Sequence, residues 1–288
     1  YPVIAIVKYF LFLVSFLLVF QACEPKLDIE IFQSNDKIVI DGWIESGSYA
    51  SVLLTANAPY FSTLDSASVR DLVLSRAKVS LVHNEDTTIL TLIKNEDYFP
   101  PLIYIASNFR GEVGEKYKII AEYGQKMAMA ETSIPAVVNL DTLFSVPSEI
   151  NDSLSNVFIR FTDPPEKNYY RIFTLRKNKD VRYRAAFISA LDDKYFNGGE
   201  AEISISGVNE TLLSQEDSDF FVKGDTILVK LCTMDKESFD FWSSYQEEMV
   251  NTNNPFAASL TTVISNVEAD GLGVWSGYGV SIMEVVLE

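Results

Sequence analysis

Residues 37–44 read KIVIDGWI and residues 50–55 read ASVLLT. In both stretches apolar residues recur with a period of two, the spacing of a strand that turns one face to a core. The same pattern returns at residues 77–82 (AKVSLV), 88–93 (TILTLI), 116–122 (KYKIIAE) and 127–134 (MAMAETSI), with turn formers between them. About six or seven short strands within roughly 100 residues predict a β-sandwich. Pro135 ends the last of them, because proline cannot donate to a ladder.

Residues 135–155 (PAVVNLDTLFSVPSEINDSLS) carry two prolines and several turn formers, which places a domain boundary near residue 137. A second strand-rich block follows, with candidates at residues 156–162, 169–175, 201–206 and 226–232, and loops marked by Asp163-Pro-Pro165, Asn197-Gly-Gly199 and Lys223-Gly-Asp225. One segment departs from the strand rule. Asp235 can cap a helix over residues 235–250 whose Phe239, Trp242, Tyr245 and Met249 share a face. That face is expected to pack inward, with Trp242 in the core. The fold class is thus all-β. An immunoglobulin-like or transthyretin-like sandwich (residues 23–136, with a short tether) precedes a second β-rich domain (137–288) that carries one amphipathic helix.

The formal net charge is −17, from 40 acidic and 23 basic residues. A nucleic-acid footprint needs clustered Lys and Arg, and the basic cluster at residues 176–184 (RKNKDVRYR) reads as a solvated hairpin. No nucleic acid is expected as a partner. The only histidine, His83, lies in the polar turn of residues 82–87, which leaves no triad and no zinc set. Acidic residues gather at Asp192 and Asp193 with Asn197, and at Glu216 and Asp217 with Asp219. Either group could offer oxygens to calcium, although neither has the spacing of a calcium loop, and both read as solvated loops. Gly271, Gly273, Gly277 and Gly279 around Trp275 read as a tight turn with close backbone packing. No cofactor, metal site or catalytic residue is expected.

The start of the chain supplies an address. Lys8 precedes an unbroken apolar run, residues 9–20 (YFLFLVSFLLVF), which ends in Gln21, Ala22 and Cys23. A basic residue, a short hydrophobic segment and a small residue before the cut are the parts of a secretory signal. A cysteine directly after them is the nucleophile that a lipoprotein signal lipidates. Residues 1–22 are therefore expected to be a signal peptide and Cys23 the lipidation site. With Cys23 carrying lipid, Cys232 has no partner for a disulfide, and its place in an apolar strand makes it a buried free thiol.

Several motifs, taken in order, resemble the family classed as domain of unknown function 4249, exported lipoproteins of Bacteroidota. They are Cys23-Glu24 with Leu27-Asp-Ile-Glu30, then residues 38–44 (IVIDGWI), Ala77-Lys-Val79, Gly114-Glu-Lys-Tyr117, and Phe161-Thr-Asp-Pro-Pro165 with Tyr169 and Tyr170. Residues 192–198 (DDKYFNG), the passage 225–241, Asn254-Pro-Phe256, Ser265-Asn-Val267 and Gly271-Leu-Gly273 complete the series. The resemblance implies an outer-membrane lipoprotein, held by lipid on Cys23, of a kind encoded beside TonB-dependent receptors and without an established reaction.

The expected role is non-enzymatic: an accessory of a TonB-dependent transporter that captures a small ligand or glycan, or docks on the receptor. Two alternatives stand beside it, a structural or adhesive surface lipoprotein and a carboxylate-dependent polysaccharide hydrolase, whose acid pair cannot be picked out from 40 acidic residues by sequence. The lipid anchor is open to a direct check. Cys23→Ala should abolish labelling by a fatty-acid analogue in cells and leave an unprocessed precursor on a gel.

Overall fold

Alternation in KIVIDGWI turns Ile38, Ile40 and Ile44 to one side of a strand, where each is 1% exposed or less. The computed structural model describes residues 37–58, 66–149, 151–205, 221–252 and 262–288. The apolar run 9–20, Cys23, the loop of Glu216, Asp217 and Asp219, and the Asn254-Pro-Phe256 motif lie outside the described residues.

In chain order the strands are β1 (Ile38–Glu45), β2 (Ser51–Ala56), β3 (Lys78–His83), β4 (Asp86–Ile89), β5 (Thr91–Lys94), β6 (Leu102–Ile105), β7 (Lys116–Tyr123) and β8 (Lys126–Ser133). Then come β9 (Leu140–Pro147), β10 (Ser155–Thr162), β11 (Tyr169–Arg176), β12 (Arg184–Asp192), β13 (Glu200–Ile205), β14 (Thr226–Met234), β15 (Glu268–Ala269) and β16 (Gly271–Val286). The helices are α1 (Ser66–Asp71) and α2 (Lys236–Thr252). The class is all-β.

The strands form three sheets: eight strands in the order β12-β11-β14-β16-β1-β2-β6-β5, five in the order β15-β8-β7-β3-β4, and three in the order β13-β10-β9. The five-stranded sheet packs on the β1 side of the large sheet, burying Ile38, Ile40, Val52 and Leu54 against Val79, Leu81, Tyr117 and Ile119. The three-stranded sheet packs on the β14 side, burying Val157, Ile159 and Phe161 against Ile172, Ile227, Val229 and Leu231. Two sandwiches thus share one large sheet.

The strand that joins them is β16. Its residues 271–278 pair in parallel with β1, from Ile38↔Gly271 to Glu45↔Tyr278. Its residues 279–286 pair antiparallel with β14, from Thr233↔Gly279 to Thr226↔Val286. The handover falls between Tyr278 and Gly279. Residue 137 divides the two cores in sequence except that Val267 and Trp275, from the far end of the chain, complete the first one. Trp275 is fully buried, and its indole N–H donates to the Tyr117 carbonyl at 2.9 Å. The ring lies over Gly42, where an added Cβ would stand 2.8 Å from it.

Four expectations need correction. Residues 88–93 are two strands: β4 pairs with β3 in the five-stranded sheet, and β5 with β6 in the large one. The chain changes sheets at Leu90, whose side chain is buried at the crossing. Residues 135–155 hold a strand, β9, because Leu140 and Leu143 pack on the second core and Phe144 stacks on Phe158 of β10, contacts that outweigh the turn formers on either side. The glycines around Trp275 lie within β16, so they serve close backbone packing and make no turn. The fourth concerns α2. Asp235 caps it, accepting from the Ser238 amide at 2.9 Å, but Tyr245 and Met249 are exposed while Ser238 and Ser244 are buried. Small serines let the helix approach its neighbours, and of the expected face Phe239 and Trp242 pack on the buried cluster of Ala190, Cys232, Met234 and Tyr278, with Trp242 half-buried on a cleft wall.

The two tryptophans should therefore differ in cost. Trp275→Ala should destabilise the protein by about 3–5 kcal/mol, as large aromatic truncations in a core do. Trp242→Ala should cost less than about 2 kcal/mol. Urea unfolding midpoints of the two variants check the contrast.

Candidate functional site

At the handover point the face of the large sheet turned away from the two cores forms the floor of a cleft of about 540 Å³. Period-two alternation selects the floor residues. On β1, Asp41, Trp43 and Glu45 stand opposite the buried isoleucines; β11 contributes Arg171 and Phe173, β14 contributes Lys230, and β16 contributes Tyr278. The walls come from three other places: Asn95, Asp97 and Tyr98 in the β5–β6 loop, Arg182 and Tyr183 at the β11–β12 hairpin, and Trp242 on α2.

Arg171 is the least ordinary group here, a charged side chain only 8% exposed. Its Nη1 donates to the Tyr278 hydroxyl at 2.9 Å. The guanidinium carbon lies 3.2 Å from the centroid of Trp242 and 4.7 Å from that of Phe173. A desolvated cation over aromatic faces gains about 2 kcal/mol, which offsets part of a burial cost of several kcal/mol per ion. Trp242 is itself held in place by a hydrogen bond from its indole N–H to Ser276 Oγ at 3.3 Å. Among the described residues, the buried Arg171 Nε has no hydrogen-bond partner.

Lys230 solves the same burial problem by pairing with the Glu45 carboxylate. Its ammonium also lies 4.8 Å from the centroid of Phe173 and 4.7 Å from that of Tyr183. Trp43 and Tyr98 stack with centroids 5.9 Å apart and planes 30° from parallel. Arg182 covers Tyr98 at 5.1 Å. Asp41 is reachable by solvent from the cleft but crowded by protein, and that crowding raises its carboxyl above the ordinary pKa, against the opposing pull of Arg171 and Arg182. Burial likewise raises the phenols of Tyr98, Tyr183 and Tyr278, so they remain hydrogen-bond donors at neutral pH.

The residues singled out in the sequence mostly lie elsewhere. His83 ends β3, stacks on Tyr117 at 4.7 Å and approaches the Lys116 carbonyl at 3.2 Å, a packing role. The carboxylates of Asp192 and Asp193 are both engaged by Lys167, and Asp193 also accepts from the Asn168 amide at 2.6 Å. Among the described residues no group of three or more His, Cys, Asp or Glu stands close enough to hold a metal ion. The basic stretch 176–184 forms the β11–β12 hairpin, where Arg176 and Arg184 both reach Asp180. Its Arg182 and Tyr183 nonetheless wall the cleft.

Sequence reasoning missed the cleft residues themselves. The signal was present in three strands that look like core strands but carry charge on one face: Asp41 and Glu45 in β1, Arg171 in β11 and Lys230 in β14.

Cys232 is fully buried on β14. Burial pushes its thiol up to about 12, with Lys230 pulling the other way. Since the thiolate is the reactive form, the native protein should resist alkylation by iodoacetamide at pH 8, whereas protein unfolded in urea should take up one label at this position. Mass spectrometry of the two samples checks it.

A family model described as domain of unknown function (DUF4249) matches residues 24–282. Comparison with the curated proteins gives no match.

Proposed function

The chain belongs to the domain of unknown function (DUF4249) family, and on that premise we propose that it is a non-enzymatic, ligand-capturing lipoprotein of the outer membrane, anchored through Cys23 and serving a TonB-dependent transporter. The observation that carries the capture reading is the cleft. It has a size usual for small-molecule sites, aromatic walls, and a few polar groups held in place by a rigid sheet.

The two carboxylates that β1 places on the cleft floor do not make a hydrolytic pair. Asp41 and Glu45 stand four residues apart on one strand, about 13 Å at 3.3 Å per residue, and Glu45 is already committed to Lys230. A glycosidase pair stands about 5–9.5 Å apart with one acid free to donate. The anchor rests on the Lys8, apolar run and Cys23 order, and the transporter on the family resemblance.

The partner is tested by purification. The tagged lipoprotein, drawn from gently solubilised outer membranes, should enrich one TonB-dependent receptor above other abundant barrels. Repeated purifications that enrich none would remove the transporter from the reading.

A further inference from the structure

The polar groups on the cleft floor narrow what can bind there. Lys230 is paired with Glu45, and Arg184 lies 3.9 Å from Asp180. That leaves Arg171 and Arg182 facing Asp41 and Asp97, two cations and two anions around one cleft. Arg171 and Asp41 feel each other's charge, yet no ion pair joins them. Among the described residues, nothing donates a hydrogen bond to the Asp41 carboxylate, and Arg171 Nε, in a side chain more than nine-tenths buried, has no acceptor.

A cleft that sets guanidinium and carboxylate groups side by side without pairing them discriminates against charged ligands of either sign. An anion drawn to Arg171 meets Asp41, and a cation drawn to Asp41 meets Arg171 and Arg182. A hydroxyl group both donates and accepts, so a ligand carrying several hydroxyls on one rigid ring satisfies both sides at once. The aromatic walls suit such a ring. Tyr98 is stacked on Trp43 and covered by Arg182, so Trp43 is the ring of this pair that offers an electron-rich face to weakly positive C–H groups.

We infer that the cleft is a saccharide site. Neutral sugar rings lie against Trp43, Asp41 accepts hydrogen bonds from their hydroxyls, and Arg182 donates to them. This rests on the capture reading above and adds the ligand class to it.

The test uses the full-length lipoprotein in detergent and follows tryptophan fluorescence, since two of the three tryptophans, Trp43 and Trp242, line the cleft. Neutral oligosaccharides of glucose, galactose, mannose and xylose are titrated beside glucuronate oligosaccharides and free dipeptides, each up to about 10 mM, a range that reaches millimolar affinities. At least one neutral oligosaccharide should bind, and Asp41→Asn and Arg182→Ala should each weaken it about tenfold or more with unchanged circular dichroism. Arg182 is exposed, so its variant folds whatever Asp41→Asn does.

Binding confined to dipeptides would replace the sugar with a zwitterion, binding confined to glucuronates would replace it with an anion, and either would overturn the inference. So would binding of no saccharide at all, or binding indifferent to both substitutions. A receptor complex whose lipoprotein ignores every saccharide would remove the ligand class alone. Saccharide binding without any receptor would remove the transporter and leave the ligand class standing.

Discussion

A Cβ added to Gly277 would stand 2.2 Å from the Ser133 carbonyl oxygen, and one added to Gly279 would stand 2.6 Å from that of Pro135. Those two absences of side chain let the chain cross over β16 as it leaves the first sandwich for the second. The crossing is tied down by polar bonds on both sides: the Gly277 amide donates to Thr132 Oγ1 at 2.8 Å, and Thr233 Oγ1 donates to the Ala136 carbonyl at 2.8 Å. Asp235, the cap of α2, accepts from the Ser133 amide at 3.0 Å. One carboxylate therefore anchors both the crossing segment and the helix whose Trp242 walls the cleft.

The cleft follows from this arrangement. β16 changes partner where the crossing lies on its inner face, and the outer face at the same level carries Tyr278, the acceptor for Arg171. Charged groups on central strands would be costly against a packed layer, but among the described residues no sheet covers them. Lys230 is neutralised by Glu45, and Arg171 is compensated by rings and a phenol, which meets its electrostatic need while leaving Nε unsatisfied. A packed core would select against that residue. Nε itself is shut off from solvent, so what the cleft offers a ligand is the Asp41 carboxylate and the exposed Arg182.

Legibility in the sequence tracked the range of the forces involved. Strand existence is a local property, so the alternation in residues 37–44, 77–82, 116–122 and 127–134 read correctly as β1, β3, β7 and β8. The Asp235 cap placed α2 for the same reason. Leu90 was harder, because the apolar pattern of residues 88–93 continues through a change of sheet and only the partner strands reveal the break. The glycines of β16 looked like a turn because their need is set by residues 133–136, far away in the chain. The cleft was least legible. Its floor draws on strands separated by most of the sequence, and nothing local announces that Asp41, Arg171, Lys230 and Tyr278 will share a face.

The parallel pairing of β1 with β16 sets the order in which the chain can mature. The first described strand, β1, finds one neighbour, β2, within a few residues, but its other neighbour is the last described strand, β16. Closing so long a loop is entropically expensive before any contact rewards it, and folds dominated by such distant contacts form slowly. Until Trp275 arrives, the first hydrophobic core lacks its largest side chain and β1 presents an open edge. The two sandwiches are thus one folding unit, committed only once β16 has joined β1, and loss of β16 would leave a defect in both of them.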